Sequence, residues 1–200
     1  MLLTERQQDA LIELINIAFG RAAAALSDMT GHRVLLEVPR VTICPIEQLG
    51  ATLESFVTGE IATVHQIFSG TVAGDALLLL NYDGAVALSG LLTEGRPRVN
   101  RLDASDREVL AEVGNILLNA CLGTFGNILQ VHISFSVPRL HLESLSALLD
   151  TLVIGADELR YALAVYTTFR LRDSAVRGYL VIVLGVASLD RLMQGVEKLG

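Results

Sequence analysis

Six polar side chains interrupt two otherwise apolar stretches of the sequence: Asp9, Glu13 and Asn16, and, 99 positions further on, Glu108, Glu112 and Asn115. Each set stands at i, i+4 and i+7, which on an α-helix places it on one face about two turns long. The chemistry open to these groups is narrow. A carboxamide is neutral and does not act as a general base, but it both donates and accepts hydrogen bonds. It therefore suits holding a water or a substrate atom in place. A glutamate one turn away is an ionised acceptor that can engage a cation on another molecule. Asparagine is a mediocre residue for a helix interior, so local structure does not call for it. One such stripe alone reads as a solvated helix face. Its recurrence with the same Glu and Asn at the same interval reads as a site used twice.

The elements that must carry these residues repeat with them. Glu13-Leu14-Ile15-Asn16 aligns with Glu112-Val113-Gly114-Asn115, and Val38-Pro39-Arg40 with Val137-Pro138-Arg139. Between the anchors apolar positions match: Leu11 with Leu110, Ile17 with Ile116, Val34 with Ile133, Leu36 with Phe135. Two anchors at one spacing indicate a gene duplication, with halves of about 1–98 and 99–200. Each half opens with a helix, predicted from about Glu5 to Asp28 and from about Ala104 to Ile128. Thr4 with Gln7 has the capping-box pattern, and Asp103 is the matching N-cap. Leu11, Ile15, Ala18, Ala22 and Ala25 form an apolar stripe that should face a sheet.

Strands are predicted at about Arg33–Val38 and Val131–Val137. Proline has no backbone donor, so Pro39 and Pro138 are expected to end strand pairing or set a turn. Each half then offers two more strands and a helix: about Glu60–Ser69, Ala73–Asn81 and Gly84–Leu92, then Arg160–Leu171, Val176–Leu184 and Ala187–Lys198. Gly74 and Gly178 are expected to precede the last strand of each half. The run from Glu94 to Arg101 breaks the apolar pattern and reads as a connector too short to separate independent domains. The expected fold is α+β: one pseudo-twofold duplicated domain, mainly an antiparallel sheet with the two long helices packed on it.

The motif Asp9-x3-Glu13-x2-Asn16-x22-Pro39 resembles the Asp/Ser-x3-Glu-x2-Asn-x22-Pro signature of the CheC, CheX and FliY phosphatases. Glu108-x3-Glu112-x2-Asn115-x22-Pro138 is a second copy, departing from the pattern only at Glu108. Two signatures in a chain this short resemble CheC most. The resemblance implies a phosphatase acting on the aspartyl phosphate of a CheY-like response regulator. It implies that Asn16 and Asn115 enter the receiver's active site and orient the attacking water. Glu13 and Glu112 would pair with a receiver lysine, while Asp9, Glu108, Pro39 and Pro138 support the motif. An acyl phosphate is already activated, so positioning a water is a sufficient task. Magnesium is expected to belong to the receiver, leaving this protein without a cofactor of its own. The resemblance also implies binding of the deamidase CheD; the chain is expected to be a monomer.

Composition narrows the alternatives. The net charge is −7, the basic residues are scattered and tryptophan is absent, which disfavours nucleic acid. No run approaches the roughly 18 consecutive apolar residues of a membrane span, and the N-terminus lacks a signal-peptide pattern; a cytoplasmic protein is expected. Cys44 and Cys121 set up no disulfide framework. His32, His65, His132 and His141 have no metal-ligand spacing, so no metal site is expected. No nucleophile elbow or phosphate-binding glycine loop occurs. Two other functions stay open: a non-catalytic flagellar-switch or adaptor module that binds a phosphorylated regulator, and, with less support, a metal-dependent hydrolase using the carboxylates. Gly20 follows Asn16 by one turn where Asn119 follows Asn115, a hint that the two sites differ.

Overall fold

Both long helices begin where the sequence caps them. In the computed structural model, which describes residues 4–53, 59–93, 101–153, 160–171 and 174–197, α1 spans Glu5–Thr30 and α4 spans Ala104–Leu129. The Thr4 hydroxyl accepts from Gln7 N while Gln7 Oε1 accepts from Thr4 N. Asp103 and Asp106 close the same reciprocal box on α4, satisfying donors that a helix start otherwise leaves unpaired. Both helices end on a left-handed residue, Gly31 at φ 66° and Gln130 at φ 53°, at matching places in the repeat.

Between and after them come β1 (Val34–Pro45), a 3-10 turn (Ile46–Gln48), α2 (Leu49–Leu53), β2 (Glu60–Gly70), β3 (Gly74–Asn81), α3 (Tyr82–Leu92), β4 (Ile133–Phe135), β5 (Arg139–Ser144), α5 (Leu145–Val153), β6 (Arg160–Leu171), β7 (Ser174–Gly185) and α6 (Val186–Glu197). The strands form one antiparallel seven-stranded sheet in the order β1-β6-β7-β3-β2-β4, with β5 also on β2. The two halves are interleaved in this sheet, β1 pairing with β6, β3 with β7, and β2 with β4 and β5, and the fold is α+β with pseudo-twofold symmetry.

Alternation along the strands divides the core in two. On one face Leu11, Ile15, Leu110, Leu117 and Cys121 of the long helices pack with Val64, Leu78, Leu180 and Ile182, joined by α3 and α6. On the other, Leu49, Leu53, Leu148 and Leu152 of α2 and α5 cover Leu77, Leu79, Val181 and Val183. A central sheet covered on both sides explains the unbroken Ala76–Leu80 run. By length and composition α1 and α4 would also qualify to cross a bilayer, at hydropathy 1.4 each. In the fold their apolar sides are laid against the sheet.

Several expectations need correction. Ala25 is exposed, and Leu26 takes its place in the buried stripe of α1. Pro39 does not end its strand: β1 continues to Pro45 across a register shift between Glu37 and Arg40. Pro138 falls in the matching break between β4 and β5, both paired to β2. Each proline thus sits at a bulge, where the missing donor costs no ladder bond. Buried side chains on the partner strands close both bulges, Thr167 Oγ1 donating to Glu37 O at 3.0 Å and Gln66 Nε2 to Ser136 O at 2.9 Å. Gly178 lies inside β7 rather than ahead of it. The strand β5 and the short helices α2 and α5 were not expected. The predicted connector falls almost wholly at 94–100, and Lys198 at 198; both lie outside the described residues.

One ionic cluster ties the halves together away from the long helices. Asp75 accepts from Arg160 at 3.0 Å and meets His65 Nε2 at 2.9 Å. Burial alone would raise the Asp75 carboxyl, but His65 and Arg160 together outweigh it and hold the group below the usual carboxylate range. A carboxyl lowered on folding stabilises the fold above its unfolded pKa near 4 and loses that contribution as pH falls through the lowered value. Asp75→Asn should therefore lower the thermal midpoint at pH 7. The gap from wild type should narrow as pH falls below about 4; a constant gap in thermal unfolding would contradict the assignment.

Candidate functional site

Packing on the sheet fixes which face of each long helix is left free. In α1 the buried residues are Leu11, Leu14, Ile15, Ala18, Phe19, Ala22 and Leu26, which turns Asp9, Glu13 and Asn16 outward; all three are exposed. In α4, Leu110, Val113, Leu117, Leu118 and Cys121 are buried. Glu108 and Glu112 are exposed and Asn115 half-buried. The structure therefore brings Glu13 beside Asn16 and Glu112 beside Asn115, as two separate stripes. Among the described residues no three His, Cys, Asp or Glu side chains gather as a metal-ligand set.

The surroundings of the two stripes differ. A groove of about 320 Å³ runs between α1 and α4 beside Glu13, lined by Ala10, Leu14, Ile17 and Arg21 from one helix and Thr124, Asn127 and Ile128 from the other. Ile17, next to Asn16, is 45% exposed, so an apolar surface adjoins the acid and the amide. Arg21 and Asn127 are flanking polar groups that sequence spacing did not single out, because the approach of α4 is a tertiary fact. Asn16 has no side-chain hydrogen bond among the described residues. Asn115 has two: its Nδ2 donates to Glu112 Oε2 at 3.5 Å, at the outer limit, and its Oδ1 accepts from Asn119 Nδ2 at 2.8 Å.

Gly114 accounts for part of the difference in depth. A Cβ built there would overlap the Val64 side chain on β2, so α4 lies close on the sheet where α1 interposes the buried Ile15. Pro39 and Pro138 stand at the bulges described above, and no hydrogen bond joins either to the acid–amide pairs among the described residues.

No protein-family profile matches the chain. A curated relative, the flagellar motor switch phosphatase FliY of Bacillus subtilis strain 168, is 25% identical over 160 residues, 78% of this chain and 41% of that protein. The chain thus spans about two fifths of that relative's length. The crystal structure of Thermotoga maritima FliY superposes with a TM-score of 0.77 at 18% identity, covering 99% of both chains. In sequence the chain is similar to FliY, and it shares the fold of that protein. The same fold recurs in the FliM middle domain from H. pylori, with a TM-score of 0.69, 10% identity and coverage of 96% of this chain and 99% of that one. It also recurs in the CheX–CheY–BeF3–Mg2+ complex from Borrelia burgdorferi, with a TM-score of 0.52, 15% identity and coverage of 84% and 96%.

Gly114→Val should destabilise the fold by about 1–3 kcal/mol through overpacking. Gly20→Ala, with open space around it, should be neutral or stabilise by up to about 1 kcal/mol. Denaturant unfolding of both variants checks the contrast; equal losses would mean that α4 does not depend on the close approach.

Proposed function

We propose that the chain hydrolyses the aspartyl phosphate of a CheY-like response regulator, using Glu13 with Asn16 and Glu112 with Asn115 as two docking and positioning pairs. The observation that carries this reading is the outward placement of both pairs, one turn apart on capped helices, in a fold shared with FliY. The phosphatase named as a sequence relative supports the reaction class, and the fold seen in a CheX–CheY complex supports the kind of partner.

In this mechanism the asparagine carboxamide holds a water in line with the phosphorus. The water oxygen forms a bond to phosphorus as the bond to the aspartyl carboxylate oxygen breaks, giving free aspartate and inorganic phosphate. Positioning, rather than proton removal, is what the amide contributes. The glutamate pairs with a receiver lysine and sets the register of docking. Magnesium enters with the receiver and neutralises phosphoryl charge there. Asp9 and Glu108 add negative charge a turn before each glutamate, and Pro39 and Pro138 shape the strands beneath. A cytoplasmic location and a monomer go with this reading, and CheD is a further partner to be tested by direct binding.

A second reading is favoured by the FliM middle domain, which has this fold: an adaptor of the flagellar-switch kind that holds a phosphorylated regulator without hydrolysing it. Phosphate release separates the two. Asn16→Ala and Asn115→Ala should each slow dephosphorylation of a phosphorylated receiver, with a loss on the order of 10²-fold at the altered site. The double variant should retain little activity; unchanged turnover in it rules out the mechanism. Glu13→Lys combined with Glu112→Lys should weaken receiver binding by charge reversal, measured by calorimetry. Unaltered affinity would remove the docking role from the glutamates.

A further inference from the structure

Asn119 stands one turn beyond Asn115, at the place where the first repeat has Gly20. A polar residue is not required there by the helix, since α1 runs through Gly20 without one. Asparagine is also a poor interior helix residue. Its amide nevertheless donates to Asn115 Oδ1 at 2.8 Å, the shorter of the two side-chain bonds Asn115 makes. The Asn119 Oδ1 is buried with no hydrogen-bond partner among the described residues, a cost to stability.

The Glu112 carboxylate favours one direction for the chain of bonds. Turning Asn115 over would bring its Oδ1 against the Glu112 carboxylate, acceptor against acceptor. With Nδ2 toward Glu112, Asn115 Oδ1 faces Asn119 Nδ2 and keeps one lone pair for a further donor. Asn16 has no such tether.

Resting on the phosphatase reading above, we propose that Asn119 is a positioning residue that sets the Asn115 carboxamide before a receiver docks. The second site is thereby pre-ordered, whereas the first must order Asn16 during docking. Pre-ordering raises the rate of the bound step and leaves receiver affinity to the glutamate and the surrounding surface.

The test uses single-site backgrounds of the full chain and measures phosphate release from a phosphorylated CheY-like receiver. In Asn16→Ala, where only the second site works, adding Asn119→Ala should lower kcat about three- to tenfold, the loss of one neutral hydrogen bond, with KM unchanged. In Asn115→Ala, where only the first site works, adding Gly20→Asn should raise kcat by a similar factor with KM unchanged. Gly20 is exposed with nothing within 4 Å of an added Cβ, so this second variant tests the idea even if Asn119→Ala perturbs folding. An unchanged or raised kcat in the first case, or no gain in the second, overturns the positioning role. Equal effects on kcat and KM would show a structural role instead. Loss of activity in Asn16→Ala/Asn115→Ala with no response to Asn119 or Gly20 refutes this inference alone; full activity in that double variant refutes the phosphatase reading beneath it.

Discussion

The arrangement depends on one burial constraint. Each long helix lays a single apolar side on the helix-facing surface of the shared sheet, with Leu11, Ile15 and Ala18 on α1 and Leu110, Leu117 and Cys121 on α4 fully buried. Each large apolar side chain so placed contributes about 1.5–3 kcal/mol relative to exposure, so the helices cannot roll without losing much of the core. Their rotation is therefore set, and with it the direction in which the acid and the amide point. Glu and Asn are thereby held one helical turn apart on a rigid element, the condition that the proposed positioning role requires.

The sheet extends that order to both copies. Ladders β1–β6, β3–β7 and β2 with β4 and β5 all join the halves, and equivalent bulges at Pro39 and Pro138 are closed by equivalent buried donors, Thr167 and Gln66. The symmetry is incomplete where it touches chemistry. Gly114 lets α4 sit down on Val64, and Asn119 binds the Asn115 amide, which has no bound counterpart at Asn16 among the described residues. One duplicated unit thus presents the same two groups in two different states of order. The fold is shared with FliY and with a FliM middle domain, so the fold alone does not decide between catalysis and docking.

Much of the fold was legible because it rests on local signals repeated twice. The capping residues Thr4 and Asp103, the helical stripe from Leu11 to Ala22 and the central strand Ala76–Leu80 act through their own periodicity. The failures lie where distant segments decide. Pro39 looked like a strand end because proline lacks a donor, but a bulge opposite Thr167 absorbs that lack and lets β1 continue. The short α2 and α5 have too few residues for a periodic pattern and are defined by covering the far face of the sheet. Leu26 replaces Ala25 because the packing of the final turns, rather than spacing, selects the buried side. Of the candidate site, the two acid–amide pairs could be read from spacing alone. The groove beside Glu13 could not, since three of its eight lining residues come from the other helix.

The most direct test of the central claim is the structure of this chain bound to a CheY-like receiver carrying beryllofluoride and magnesium as a phosphoryl mimic. The account predicts the receiver on the outer face of α1 or α4, with the carboxamide of Asn16 or Asn115 about 3 Å from the in-line water position and Glu13 or Glu112 against a receiver lysine. A receiver seated on the α2–α5 face, with both asparagines left in solvent, would contradict it.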